Sequence, residues 1–594
     1  MGLLDKFTSR TSSSSGRQPL FLRMQDYLNT MELGTGQQLF RLGMFVVLLV
    51  FVILLYSGTQ FNGLRDAESM NIAQLARNIS RGHGYVTRFF RPLDVGYLKG
   101  LGRSPNAETL TQPELWQPPA YPWLLGQVFR VISPDWTPEK GSRTVPGDRT
   151  MMVVNWLWFG LGLLLTYLLA RELFDKRVAV LSIFLYLFCD TLLDAAVSGL
   201  PLNFLTLLFL LTAFAMVKAE RWQEEQRKPV WIYSALVVSA LAVGVGTLTQ
   251  YAFVAVMFGL ILYLVLVFPK RWYVPVLVCL AVYAAVLAPW LWRNWKVSHT
   301  LFGLSYYELY EGTGMGTLQQ IRPGELQRSY APSLKDYRYW FMARQMLINW
   351  RAMFETHLRD LGAGFLAAFF VVSLLHRFRR DQVLRLRHFL VACVAGTILW
   401  LGVTDPPSKN FLTVFAPLAI ILAVAFFCVL FERLQVRQRL ARVAVIGGFC
   451  LLNGLSFVFT ILPPAAQLPY PPYDGVIIWL VGKAFPEDSL MVGDIPWAVA
   501  WYGDRTCVWS PYTQEDYIAI NDSVKHISAI YISQVTLNEF DAVELASTLI
   551  GQKPIFWLRG FPLLSPPPGF PLQSSELVTP DRQQFLISSG VRRK

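Results

Sequence analysis

Phe45-Val46-Val47-Leu48-Leu49-Val50-Phe51-Val52-Ile53-Leu54-Leu55-Tyr56 is an unbroken apolar run, and shortly after it stands Leu64-Arg65-Asp66-Ala67-Glu68. The run belongs to a stretch of residues 40–58 long enough to cross a hydrocarbon layer about 30 Å thick as a helix. Similar stretches recur along the chain. They predict about eleven spans: 40–58, 150–170, 177–190, 199–217, 230–249, 251–268, 272–292, 361–376, 388–404, 411–431 and 443–462. With 53% hydrophobic and only 16% charged residues, the composition excludes an ordinary soluble domain, which is about one quarter charged. The fold class expected is an α-helical polytopic membrane protein.

Net charge is +13, which could signal nucleic acid. The basic residues instead fill alternate short loops: Arg171, Lys176 and Arg177; Arg221, Arg227 and Lys228; Lys270 and Arg271; Arg377 to Arg387; Arg433 to Arg442. That alternation is the topology signal of cytoplasmic loops, so no nucleic-acid partner is expected. A cytoplasmic N-terminal segment (1–39) then leads into a membrane domain (40–462) with long outer loops at 59–149 and 293–360. Residues 463–594 form an outer α/β domain after a Pro-rich linker (Pro463, Pro464, Pro469, Pro471, Pro472). Within that domain, Val476–Phe485 reads as helix, and Leu490–Gly493, Cys507–Trp509 and Ile527–Ile532 read as strands. The Ser-rich start, Thr11 to Ser15, has no cleavable signal pattern.

The first outer loop carries most of the chemistry. From Asp66 to Arg81, apolar residues at 72, 75, 76 and 79 recur at helical spacing, which predicts an amphipathic helix along the membrane interface. Asp66, at the boundary between lipid and water, suits a general base for an acceptor hydroxyl or amine. The plainer reading is that Asp66 and Glu68 cap this helix and complement its dipole. No ligand-spaced pair occurs among the six histidines, His83, His299, His357, His376, His388 and His526. Of the six cysteines only Cys507 falls outside the apolar spans. Neither a metal cluster nor a disulfide is indicated.

Several short motifs, in order and at the outer ends of spans, carry a resemblance. They are Asp66 through Gly82-His83-Gly84-Tyr85; Trp116-Gln117-Pro118-Pro119-Ala120-Tyr121-Pro122-Trp123-Leu124-Leu125; Leu248-Thr249-Gln250; Pro289-Trp290-Leu291-Trp292-Arg293-Asn294; and Lys409-Asn410-Phe411-Leu412 through Pro417. Together they resemble bacterial GT-C glycosyltransferases, similar to the dolichyl-phosphate-mannose protein mannosyltransferases and the lipid A aminoarabinose transferases. The resemblance covers about residues 40–460. It implies an inverting glycosyl transfer on the outer face of the membrane, with Asp66 as catalytic base and Glu68 beside it. It implies a polyprenyl- or dolichyl-type phosphate donor, with Arg293 and Lys409 as candidates for the donor phosphate. Arg88 and Arg91 are weaker candidates. Gln117, Tyr121 and Tyr85 are the expected substrate contacts, and the acceptor is a glycan, lipid or protein. No cofactor is implied, although the oligosaccharyltransferase branch of the superfamily holds a divalent ion that Asp66 and Glu68 could carry.

The chain departs from that pattern at four places. Ala67 stands where Glu is common, Gln117 replaces Lys or His, and Gln250 replaces Arg. Ser198-Gly199-Leu200-Pro201 lacks the second-loop acid, for which Asp190 or Asp194 could substitute. The competing readings are a transporter or flippase of lipid-linked sugars, an O-antigen ligase or polymerase, and an inactive GT-C relative. A transport site would place charged residues at the membrane midplane, whereas here they collect at the outer ends of spans. The expected location is a bacterial inner membrane, with the N-terminus inside and the C-terminal domain outside.

Overall fold

The computed structural model describes residues 35–106, 108–138, 144–310, 326–332, 339–357, 361–362, 365–404, 411–462, 475–533, 571–572, 574–578 and 585–588. Lys409, the Pro-rich linker and the Ser-rich start lie outside these residues. The chain divides into a unit ending at Thr59 and a second running from Gln60 onward. The first contains helix α1 (Thr35–Gln60), whose apolar window has a mean hydropathy of 2.7.

In the second unit, α2 (Ala67–Ser80) opens the first loop, followed by β1 (Val86–Thr87), β2 (Phe89–Phe90), α3 (Pro92–Gly100), β3 (Gln112–Pro113) and α4 (Ala120–Ile132). The membrane helices follow: α5 (Pro146–Leu173), α6 (Lys176–Leu187), α7 (Asp190–Ser198), α8 (Leu202–Glu224), α9 (Pro229–Thr247), α10 (Val254–Val267) and α11 (Tyr273–Ser298). After α12 (Tyr339–Ala352) come α13 (Phe365–Ser373), α14 (Asp381–Val403), α15 (Ala416–Arg433) and α16 (Arg439–Ile461).

Each of the eleven predicted spans overlaps a helix. Among the described residues, eight helices are long and apolar enough to cross a membrane, and α6 and α7 form a ninth candidate bent by 52°. The bend falls at Phe188-Cys189, where Cys189 takes extended backbone (φ −77°, ψ 106°) before Asp190 restarts the helix. Tyr251–Val267 is a shorter apolar helix and α13 has only nine residues, so those two predicted spans are the ones the helix lengths do not complete.

The C-terminal segment folds as α17 (Gly475–Lys483), β4 (Leu490–Gly493), β5 (Thr506–Trp509), α18 (Gln514–Ser523), β6 (Ile527–Ile532), β7 (Ser574–Leu577) and β8 (Phe585–Ser588). Its sheet has six strands in the order β2-β5-β4-β6-β8-β7. The four strands β2, β5, β4 and β6 run parallel, and β8 and β7 close the far edge antiparallel. Buried Phe90, Val492, Val508, Ile530 and Ile587 make its core, as expected for strands covered on both faces. The edge strand β2 comes from the first outer loop, with Phe89 paired to Cys507 and Phe90 to Val508. A domain starting at residue 463 is therefore structurally incomplete: one of its strands is supplied from residues 89–90.

The same joint corrects the expectation for α2. Instead of keeping an exposed polar face, α2 is buried from Ser69 through Ile79. Its polar residues are accepted in the interior because each finds a partner. The Gln74 amide donates to Thr87 Oγ1 (2.8 Å) and that of Asn78 to the Val86 carbonyl (2.8 Å). Arg77 donates to the carbonyls of Trp501 (2.8 Å) and Ala500 (2.6 Å) and pairs with Asp504 at 2.9 Å. On its other side α2 packs on α4 so closely that a Cβ on Gly126 would stand 2.7 Å from Ile79 Cγ2.

Candidate active site

Four of the quoted motifs meet at one end of the helix bundle. The N-terminus of α4 is tied to the turn after α9, with Ala120 N–H donating to the Leu248 carbonyl at 2.9 Å. Arg293, near the end of α11, donates to the Glu114 carbonyl (2.5 Å) and the Tyr85 carbonyl (3.3 Å). The Tyr85 hydroxyl in turn donates to the carbonyls of Gln117 (2.8 Å) and Pro118 (3.0 Å). Glu114, fully buried, accepts from the backbone N–H groups of Trp116 (2.8 Å) and Gln117 (3.0 Å). These bonds fix the Trp116–Pro118 backbone from three directions.

The space they frame is a cavity of ≈ 630 Å³, within the usual size of ligand pockets. Asp66, Glu68, Asn71, Gln117 and Pro118 line one part of it. Gln250, Tyr251, Trp400 and Thr404 come from the ends of membrane helices, and Phe302, Tyr306 and Glu308 from the segment after α11. Phe89, Arg91, Trp116, Trp497 and Trp509 complete the wall. The basic loops lie at the opposite ends of the same helices: α11 starts after Lys270 and Arg271, and α14 after Arg377 to Arg380.

Asp66 stands at the N-cap of α2 with extended backbone (φ −100°, ψ 145°), but its side chain makes no capping hydrogen bond. The helix start is held instead through main-chain oxygen, with Ser69 Oγ donating to the Asp66 carbonyl at 2.8 Å. The carboxylate is thus not used in the way the capping reading requires. Burial pushes the Glu68 carboxyl up to about 7, the Asp66 charge adds to this, and a hydrogen bond from the Gln117 side chain opposes it. Asp66, Glu68 and Gln117, singled out in the sequence, are therefore brought together.

Of the other candidates among the described residues, Arg293, Tyr85, Tyr121 and Arg88 are not on the cavity wall. Arg293 holds loop carbonyls and lies 4.9 Å from the Trp290 ring centroid and 5.7 Å from that of Tyr85. Tyr85 acts on the cavity through the backbone it pins. Tyr121 is fully buried; its hydroxyl donates to Asn155 Oδ1 at 2.7 Å and its ring packs on Phe204. Arg88 turns away to Asp504, donating to its Oδ1 at 3.0 Å and its carbonyl at 2.7 Å. Arg77 and Arg81 share that carboxylate. Burial alone would raise the Asp504 carboxyl, but the guanidiniums of Arg77, Arg88 and Arg81 hold it far below the ordinary range. Asp194 pairs with Arg65 at 3.4 Å, and Asp190 accepts from Ser456 Oγ at 3.3 Å. Neither acid lines the cavity.

The arginine that does line it is Arg91. Its Nε donates to Gln327 Oε1 at 2.9 Å, and its guanidinium sits 4.3 Å from the Phe89 centroid and 4.7 Å from that of Trp116. Its Nη1 is buried without a hydrogen-bond partner among the described residues, with Asp94 and Glu114 at 3.8 and 3.9 Å. In the sequence Arg88 and Arg91 stand together as weaker candidates. Two consecutive strand residues, Phe89 and Phe90, separate them, so the pleat sends the two guanidiniums to opposite sides. Trp497 and Trp509 were not singled out at all, because they lie some 400 residues from Asp66 in what reads as a separate domain.

Asp66 and Glu68 are the carboxylates that a divalent ion would need. Among the described residues no group of three or more His, Cys, Asp and Glu side chains is arranged to hold a metal ion. Among the described residues these two carboxylates find no third ligand.

The fold and cavity define a class: a polytopic membrane protein with an acid-bearing chamber at the bundle end opposite its basic loops, roofed by an α/β domain. Residues 117–293 match the family model for dolichyl-phosphate-mannose-protein mannosyltransferase. Among solved structures, the chain is similar to ArnT from Cupriavidus metallidurans bound to undecaprenyl phosphate. The two are 13% identical over 92% of this chain and 98% of that one, with a TM-score of 0.53. It is also similar to the oligosaccharyltransferase AglB from Archaeoglobus fulgidus, in complex with an inhibitory peptide and a dolichol-phosphate. There the identity is 13%, over 83% of this chain and 69% of that one, with a TM-score of 0.53. No curated protein matches in sequence. The fold is that of the GT-C glycosyltransferases, as the motifs implied.

Proposed function

We propose that this chain is a glycosyltransferase that moves a sugar from a polyprenyl-phosphate-type lipid to a glycan, lipid or protein acceptor. The reaction takes place on the extracytoplasmic face of a bacterial inner membrane. The observation that carries this reading is the convergence of Asp66, Glu68 and Gln117 on one chamber. The two neighbours with bound lipid phosphates support the donor class. The basic loops at the far ends of the helices support the orientation.

In this mechanism Asp66 takes the proton of the acceptor hydroxyl or amine as that atom attacks the anomeric carbon. The bond from carbon to phosphate oxygen breaks on the opposite face, and the lipid phosphate leaves with the electron pair, inverting the centre. Arg91 compensates the charge that grows on the leaving phosphate, since its planar donor fork suits phosphate and its buried Nη1 has a donor to give. Arg293 is assigned to positioning, through the Glu114 and Tyr85 carbonyls. Lys409 remains a candidate for the lipid phosphate from its place in the sequence.

The test is transfer of radiolabel from polyprenyl-phosphate sugars in proteoliposomes. Asp66→Asn keeps shape and removes basicity, so it should insert normally and lose nearly all transfer. Normal turnover in that variant would end the assignment of Asp66 as base.

A further inference from the structure

The four parallel strands of the C-terminal sheet all present their carboxyl ends on one edge. In open parallel sheets that edge is where ligands bind, because the loops leaving successive strands diverge there and open a crevice. Arg91 directly follows β2, Trp509 is the last residue of β5, and Trp497 lies four residues beyond β4. All three line the chamber that holds Asp66. The roof of the chamber is therefore the ligand edge of the sheet.

Trp497 and Trp509 meet edge to face with ring centroids 5.6 Å apart, and both lean on Phe89, at 5.9 and 6.0 Å. Arg328, anchored on the Ser510 carbonyl at 2.8 Å, lies 5.6 Å from the Trp509 centroid. The pair is thus fixed from behind, and each indole stays only half-buried, with surface left toward the cavity. On the membrane side, Gln250 is 6% exposed, yet neither its Nε2 nor its Oε1 has a hydrogen-bond partner among the described residues. A buried amide left unpaired at both atoms is unfavourable and calls for a group that can donate and accept together. A rigid aromatic wall and an orphaned amide in one chamber fit a ligand with an apolar face and a rim of hydroxyls, which is a pyranose ring.

We propose that Trp497 and Trp509 form the subsite on which a pyranose ring stacks, with Gln250 bonding its hydroxyls. This rests on the glycosyl-transfer reading and adds to it the element that recognises the sugar. The C-terminal domain becomes part of the substrate site, with the two tryptophans as binding residues.

The experiment uses the full chain in nanodiscs and two titrations. The donor arm compares undecaprenyl phosphate with undecaprenyl phosphate carrying mannose, glucose, galactose or 4-amino-arabinose. The acceptor arm titrates the methyl glycosides of the same sugars in the presence of undecaprenyl phosphate. Binding of at least one sugar-bearing probe, weakened about tenfold by Trp497→Ala and by Trp509→Ala, is the expected result. Affinity for bare undecaprenyl phosphate should stay unchanged, and Trp497→Phe and Trp509→Phe should recover most of the loss. The arm that responds identifies whether the ring belongs to the donor or the acceptor. If neither arm responds to the alanine variants, or if they lose the bare lipid equally, the subsite is refuted. Tryptophan-dependent sugar binding without label transfer in the wild type would keep the subsite and overturn the transferase reading instead.

Discussion

Glu68→Gln tests the electrostatics of the chamber directly. Burial, then the Asp66 charge, pushes the Glu68 carboxyl from 4.5 up to about 7. Between those two values the folded chain holds a proton that the unfolded chain has released. The folded state then binds more protons, so stability falls as pH rises through that window and stays reduced above it. The interval converts to about 3 kcal/mol at full ionisation. Glutamine has nearly the same shape, is neutral and does not titrate. The variant should match wild type at pH 4 and be more stable by up to about 3 kcal/mol at pH 8. Thermal unfolding of both proteins in nanodiscs across that pH range reads the difference. Curves that run parallel would show that Glu68 is solvated like a surface acid, and the enclosed chamber would then be wrong.

Arg77→Met keeps an unbranched apolar stem but takes the guanidinium donors away from the Trp501 and Ala500 carbonyls and removes one partner of Asp504. A loss of about 2–4 kcal/mol is expected, with faster proteolysis of the C-terminal domain than of the membrane helices. Gly303 has φ +65°, and a Cβ there would stand 2.1 Å from the Leu115 carbonyl oxygen. Gly303→Ala should therefore cost about 1–3 kcal/mol by thermal unfolding. Arg91→Gln should raise the donor KM or lower kcat by about 10–100-fold in the proteoliposome assay, with Arg91→Lys intermediate. An Arg91→Gln enzyme with wild-type kinetics would remove it from the phosphate site.

The membrane helices were legible because each apolar run is continuous and its signal is local. The strands Leu490–Gly493 and Ile527–Ile532 were legible for the same reason, being short runs of residues buried on both faces. Asp66, Glu68 and Gln117 could be placed from motif order alone. What escaped was everything that depends on distant pairing. The α2 pattern suggested an interfacial helix because Gln74, Arg77 and Asn78 look like a solvated face; their partners at Thr87, Trp501 and Val86 are not adjacent in sequence. Arg88 and Arg91 could not be told apart until the two-residue strand between them was known. Tyr121 sits in a conspicuous motif, yet its hydroxyl serves Asn155 in the interior.

The strand that β2 contributes to the C-terminal sheet also orders events in time. Phe89 must wait for Cys507, about 400 residues later, before its edge is paired. At roughly 5–20 residues per second that delay is tens of seconds of synthesis. The membrane helices can insert one by one during this interval, whereas β2 gains its sheet partner only once β5 (Thr506–Trp509) has been made. A ribosome that stalls or a chain cut short before that point leaves an inserted bundle without a finished roof. A bundle made only as far as its last membrane helix lacks Trp497 and Trp509 on the chamber wall.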